Sequence, residues 1–323
     1  ITNDLRQKSA VRCTLSRPAR LRCVYSPQMA SPPNLTRWKA SGKHTTFRGL
    51  PIFYQSTQQE GDGRPWLVGV HGFPTSSWDF APMWAELDEQ FALVASDLIG
   101  LGYSAKPECP LTIALQADAI ESLLSELGVG EAHLYAHDLE DTVAQELLAR
   151  HLDGSGRICF KSCVFLNGGL FPETHQPRFI QKLLLSPLGG AVAKLTSEKR
   201  FRASMKEIFG PHTPPSAEFL DGAWEQLVAD SGRKALPRLI TYMEERRVYR
   251  ERWIEPLVQS RIPLRFINGA LDPVSGRHAA DRYRELVPDA DVVMLDDLGH
   301  YPHVEDPSRV LSALREFWER AVR

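Results

Sequence analysis

The apolar run Ala132-His133-Leu134-Tyr135-Ala136 passes, through His137-Asp138-Leu139-Glu140-Asp141, into the helix-like stretch Thr142-Val143-Ala144-Gln145-Glu146-Leu147-Leu148. The first reads as a buried strand, and the second as a helix in which apolar and small residues recur at helical spacing. Little chain is left between them for a loop, so the strand must turn sharply into the helix. Such a unit commits the chain to a sheet with helices packed on it. Asp138 sits at the tip of that turn.

The rest of the chain repeats the alternation. Ile52-Phe53-Tyr54, Trp66-Leu67-Val68-Gly69-Val70 and Ala92-Leu93-Val94-Ala95-Ser96 read as strands before the turn. Cys163-Val164-Phe165-Leu166, Leu264-Arg265-Phe266-Ile267 and Val292-Val293-Met294-Leu295 read as strands after it. Helical spacing runs from Ile113 to Leu127 and from Val310 to Val322. This order predicts an α/β fold, a mostly parallel sheet flanked by helices. Between Phe171 and Gln259 the rhythm breaks: Pro172, Pro177, Pro187, Pro211, Pro214, Pro215 and Pro237 separate helix-like pieces such as Glu218–Val228 and Leu239–Trp253. The 323 residues are therefore expected to form a core, 41–170 and 260–323, carrying an inserted helical lid, 171–259.

Residues 1–40 have a different character. No acidic residue occurs between Asp4 and Glu60, while Arg6, Lys8, Arg12, Arg17, Arg20 and Arg22 punctuate a Pro-broken segment. Organelle transit peptides share that composition. Residues 1–40 are thus expected to be a disordered or transit-like extension, and the protein intracellular, cytoplasmic or organellar. The formal net charge of -2 and pI near 6.6 point to neither a nucleic-acid nor an anionic-membrane partner. No run approaches the roughly 18–20 apolar residues that span a bilayer. Cys13, Cys23, Cys109, Cys159 and Cys163 lack zinc-ligand spacing and are expected as reduced thiols. No metal or cofactor is expected.

A strand, a sharp turn and a helix form the nucleophile elbow of an α/β-hydrolase, normally with serine at the tip. A carboxylate in that slot makes a covalent ester with its substrate, which suits attack on a saturated, electrophilic carbon such as that of an epoxide. Asn268-Gly269-Ala270-Leu271-Asp272-Pro273 offers Asp272 at a strand's carboxyl end, where α/β sites are built. Leu298-Gly299-His300-Tyr301-Pro302 offers His300 after the last strand. Nucleophile, acid and histidine stand in the α/β-hydrolase order, with His300 to activate a water and Asp272 to orient it. The backbone N–H groups of Phe73, in His71-Gly72-Phe73-Pro74, and of Leu139 are expected to form the oxyanion hole. His71, Trp78, His137 and Glu140 are expected to line the pocket of a small-molecule substrate.

His71-Gly72-Phe73-Pro74, His137-Asp138 and Gly299-His300 resemble the epoxide hydrolase and haloalkane dehalogenase branch of the α/β-hydrolases. Over roughly residues 38–323 the chain is also similar to the mesoderm-specific transcript family, for example at Trp38–His44, Gly49–Gln55, Asn167–His175 and Leu271–Val274. The first resemblance implies an alkyl-enzyme ester on an apolar electrophile; the second carries the hydrolase fold without a substrate. Three departures qualify them. Dehalogenases of this branch hold the departing halide with side-chain N–H donors in the places of Phe73 and Leu139, which here are apolar, and the arginines of fluoroacetate dehalogenases are missing at Leu139 and Asp141. Epoxide hydrolases protonate the ring oxygen from lid tyrosines, for which the lid offers Tyr242 and Tyr249. Glu140 stands two residues after Asp138, where the elbow has glycine, so its side chain must point outward, strain the turn or line the pocket. The leading expectation is an epoxide hydrolase-like enzyme. An esterase-like hydrolase and a degenerate, purely binding member of the fold are the alternatives.

Overall fold

Eight strands form one sheet in the computed structural model, which describes residues 33–59 and 61–321. They are β1 (Lys43–Phe47), β2 (Leu50–Ser56), β3 (Trp66–Val70), β4 (Ala92–Ser96), β5 (Glu131–His137), β6 (Cys159–Leu166), β7 (Leu264–Gly269) and β8 (Val292–Leu295), in the spatial order β1-β2-β4-β3-β5-β6-β7-β8. Every pair from β4 to β8 is parallel, and only β1–β2 and β2–β4 are antiparallel. The expected mostly parallel sheet is therefore present, with the antiparallel hairpin at one edge. Arg48 and Gly49, at φ 50 and 78, make the two-residue turn between β1 and β2, a left-handed pair matched to strand twist. The sequence reading overlooked β1, because Lys43-His44-Thr45-Thr46-Phe47 is a mostly exposed edge strand with no apolar run.

Alternate residues of the central strands enter opposite layers, as a strand's period of two requires. Leu134 and Phe165 pack in one apolar layer, and their neighbours Tyr135 and Val164 in the other. The terminal helix Pro307–Ala321 closes the second layer with Leu314, Phe317 and Trp318, the Trp318 ring lying 4.6 Å from that of Phe91. In the first layer lies the helix Leu139–Asp153, buried along almost its whole length and ended by Gly154 at φ 74, the left-handed stop that glycine provides.

Between β6 and β7 the chain is helical: Phe179–Leu185, Gly189–Leu195, Glu198–Lys206, Ala217–Val228, Leu236–Leu239, Tyr242–Val248 and Arg250–Val258. The long helix expected over Leu239–Trp253 is instead broken near Tyr249, which leaves helical dihedrals at φ -101 and ψ 21. The break lets Tyr242 and Arg246 on one side of it, and Trp253 and Leu257 on the other, all reach the interior. Packing has overridden local propensity.

Two expectations fail. Residues 35–41 belong to a helix, Leu35–Ser41, rather than to a disordered extension. Trp38 anchors it, 1% exposed, with its indole N–H donating to Ser77 Oγ at 3.3 Å and its ring edge-on to Trp84 at 4.9 Å. The transit-like reading of residues 1–32 lies outside the described residues. Cys109 and Cys163 carry free thiols, whereas Cys159 is disulfide-bonded, against the expectation of reduced thiols throughout. No helix among the described residues is long and apolar enough to cross a membrane.

Candidate active site

β3 and β5 are neighbours although β4 separates them in sequence. The chain thus departs to opposite sides from their carboxyl ends, and a crevice opens at such a switch point. His71–Pro74 leaves β3 there, and Asp138 leaves β5. Asp138 holds φ 57 and ψ -112, a backbone state that side-chain-bearing residues rarely adopt, and Leu139 begins the helix immediately. A Cβ on Gly72 would stand 2.7 Å from His137 Nδ1 and 3.0 Å from Asp138 Cβ, so only glycine lets the loop after β3 lie against the turn. This close approach brings the Phe73 N–H to Asp138 Oδ2, to which it donates at 3.0 Å.

The other carboxylate oxygen, Oδ1, lies 3.6 Å from His300 Nε2. His300 Nδ1 donates to Asp272 Oδ2 at 2.8 Å. Asp272 also accepts from Asn167 Nδ2 at 3.0 Å, Ser275 Oγ at 2.8 Å and the Val274 N–H at 2.7 Å. Burial pushes Asp272 up, but the charge and hydrogen bond of His300, with those from Asn167 and Val274, overcome it and hold the carboxyl at about 2. Burial pushes His300 down, and the Asp272 carboxylate, helped by the charges of Asp138 and Glu305, overcomes that in turn and raises the imidazole to about 9. Glu305 fixes the loop on both sides of His300: it accepts from the Gly299 N–H at 2.9 Å and from the Tyr301 N–H at 3.0 Å.

The alpha/beta hydrolase family profile matches residues 67–313. The chain belongs to the α/β-hydrolase family. Mesoderm-specific transcript homolog protein of Bos taurus is 39% identical over 306 residues, covering 91% of this chain and 90% of that protein. LipZ of Mycobacterium tuberculosis (strain ATCC 25618 / H37Rv) is 36% identical over 283 residues, covering 87% and 96%. Among solved structures, haloalkane dehalogenase DbeA from Bradyrhizobium elkani USDA94 superposes with a TM-score of 0.71 at 20% identity, covering 87% of this chain and 98% of that one. Epoxide hydrolase CorEH superposes at 0.69 and 17% identity, covering 86% and 98%. At such identities the structural likeness is one of fold.

In this hydrolase a cavity of about 330 Å³ reaches Asp138 and His300. Phe73, Leu184, Phe201, Met205, Leu227 and Val274 are among its walls. The four residues expected to line it do not. His71 is spent on packing: its Nδ1 donates to the Gly72 carbonyl at 2.9 Å and its Nε2 accepts from the Leu98 N–H at 3.0 Å. His137 Nε2 donates to the His300 carbonyl at 2.8 Å. Trp78 stacks on Phe219 with ring centroids 6.1 Å apart. Glu140 points inward, fully buried, without entering the cavity. Its Oε1 lies 3.7 Å from His71 Nε2, but that nitrogen already accepts from Leu98 and burial lowers the imidazole pKa, so this is no ion pair. Neither Glu140 oxygen has a hydrogen-bond partner. Burial, reinforced by the charges of Asp97, Asp79, Asp138 and Asp141, raises its pKa well above the carboxylate range.

Neither lid tyrosine is among the residues that line the cavity, but Tyr242 lies beside it and Tyr249 does not. The Tyr242 ring lies 6.4 Å from that of Phe73, and its hydroxyl is buried without a partner. Tyr249 is 47% exposed and packs on Trp253, because the helix break turns it outward. Leu139 is buried at the first position of its helix. Arg246 was not foreseen. Fully inside the protein, it donates through Nη2 to the Asp138 carbonyl at 3.2 Å and through Nε to Thr142 Oγ1 at 2.6 Å. It ties the helical insertion to the elbow. A metal ion, were one to bind, would find Asp79, His137 and His303 buried with one ligand atom each within 4.8 Å of the others.

Proposed function

We propose that this hydrolase opens a small apolar epoxide or a like electrophile through an ester on Asp138, beneath a lid formed by residues 171–259. The observation that carries the reading is the division of labour at the Asp138 carboxylate. Oδ2 is held by the Phe73 N–H, and Oδ1 is left free facing His300, which Asp272 orients.

Atoms and protons balance on these residues. Oδ1 attacks a ring carbon, a C–O bond breaks, and the alkoxide takes a proton from Tyr242, whose buried phenol has no other partner. The net proton comes from His300, which starts protonated with its pKa at about 9 and ends the step neutral. Ester formation also erases the Asp138 charge, one of the lesser causes holding that pKa up after Asp272, and the imidazole left neutral by the first step is the base for the second. Water then adds to Asp138 Cγ as His300 takes its proton. The oxyanion forms on Oδ2, against the N–H groups of Phe73 and Leu139. Collapse breaks Cγ–Oδ1, the departing alkoxide takes the proton of the hydroxyl just added to Cγ, and the diol leaves with the original Oδ1 while Asp138 returns as a carboxylate beside a protonated His300.

That last step supplies the test. One turnover in water enriched in heavy oxygen should place the label in Asp138 and none in the diol. If Asp138 were a general base, as in an esterase-like route, the label would appear directly in the diol and the reading would fall. A purely binding protein would transfer no label to either.

Haloalkanes should be poor substrates. With apolar side chains at Phe73 and Leu139, the departing halide loses two donors, and one lost charge-stabilising donor costs about 2.7–4 kcal/mol. Bromide release from short bromoalkanes is expected to stay near background; efficient release by the unaltered chain would contradict this.

A further inference from the structure

We propose that the stretch 178–206, which walls the cavity, docks this hydrolase onto the surface of an anionic lipid bilayer. Large apolar side chains stand in solvent there: Phe179 is 75% exposed, Leu188 66% and Leu195 70%. They lie on or between the consecutive short helices Phe179–Leu185 and Gly189–Leu195. The same stretch carries Arg178, Lys182, Lys194, Lys199, Arg200, Arg202 and Lys206 against the single acid Glu198, within a chain of net charge -2. Arg178 pairs with Glu207, and Arg202 with Glu198 and Asp221. Lys182, Lys194, Lys199, Arg200 and Lys206 face no carboxylate partner among the described residues.

Exposed apolar side chains interspersed with unpaired cations along one stretch are what a peripheral protein presents to a bilayer, the former entering the acyl boundary and the latter meeting lipid phosphates and carboxylates. The charge argues against a second copy of the chain, because a two-fold contact would set this cationic patch against itself. The cavity opens on the same face, since Leu195 and Arg200 both line it and stand exposed at its rim. An apolar molecule dissolved in the bilayer therefore has a route to Asp138 that avoids water. Docking stands apart from the chemistry assigned to Asp138; only substrate delivery rests on that reading.

The test is flotation of the full chain with vesicles of phosphatidylcholine alone and of phosphatidylcholine mixed with phosphatidylserine. Binding should need phosphatidylserine and weaken as salt rises. Two variants, Phe179→Ser/Leu188→Ser and Lys182→Glu/Lys194→Glu/Lys199→Glu, should each lose binding by about tenfold or more. Both should keep their melting temperature and their turnover of a water-soluble epoxide, while losing turnover of one embedded in vesicles. Absence of binding by the unaltered chain, or equal binding by both variants, overturns the proposal. So does a concentration-dependent dimer that Phe179→Ser/Leu188→Ser dissolves. Docking without turnover of any epoxide would leave the membrane surface intact and refute the Asp138 chemistry alone.

Discussion

Replacement of His300 by glutamine is expected to leave the hydrolase alkylated. Oδ1 of Asp138 does not need the imidazole to attack, the Phe73 N–H still holds Oδ2, and Tyr242, replenished by solvent in place of His300, still protonates the alkoxide, so the ester forms, though more slowly than in the wild type. Glutamine takes no proton from water, so the second step stalls, and a lost general base is worth about 10²–10⁴-fold in rate. Mass spectrometry of His300→Gln after exposure to a reactive epoxide should find a substrate-sized addition on the peptide carrying Asp138. Asp138→Asn should show none. An adduct on another residue, or an active Asp138→Ala, would remove Asp138 from the nucleophile's role. Asp272→Asn should accumulate the ester more weakly than His300→Gln, because it misorients the imidazole without deleting it.

How far this site was legible depends on which physical rule placed each residue. Asp138, Asp272 and His300 were readable because each follows an apolar strand, and the carboxyl ends of parallel strands converge on one crevice. Neighbours of those residues were misread for the same reason that strands are readable. Successive side chains leave a strand in opposite directions, so His137 turns away from the cavity that Asp138 enters. Arg246 gave no signal: Glu244-Glu245-Arg246-Arg247 looks like a solvated helix face, and only the break at Tyr249 and the packing on the elbow turn Arg246 inward. Asn167 holds Asp272, and Glu305 holds the loop around His300, through hydrogen bonds that bridge segments, which spacing along the chain cannot reveal. The net charge of -2 averages the whole chain and so does not register the cations gathered between 178 and 206.

Glu140→Gly is expected to stabilise the hydrolase, and increasingly so as pH rises. The wild-type carboxyl is fully buried with both oxygens unpartnered, and a buried polar group left unpaired costs about 1–3 kcal/mol. Glycine inside a helix gives back about 1 kcal/mol, so the gain near pH 6 is modest. The pH term is larger. Burial raises the folded pKa of Glu140 above its ordinary value. Below that ordinary value both states hold the proton, and no pH dependence arises from this group. Above it the unfolded chain ionises while the folded chain keeps the proton, so wild-type stability falls by about 1.4 kcal/mol per pH unit until the folded pKa is reached. Glu140→Gly removes that slope, and Glu140→Gln removes it without opening a cavity. At about 2 °C per kcal/mol, the melting temperature of either variant should gain roughly 3 °C on wild type for each pH unit between the ordinary and the folded pKa of Glu140. Asp79 and Asp141, also raised by burial, remain in both proteins, so only the part of their titration coupled to Glu140 enters the difference. A melting-temperature difference that stays flat with pH would mean that Glu140 is ionised in the folded protein. Loss of turnover in Glu140→Gly with no gain in stability would instead make Glu140 a participant in the reaction, because its carboxyl would then be doing something at Asp138 that glycine cannot replace.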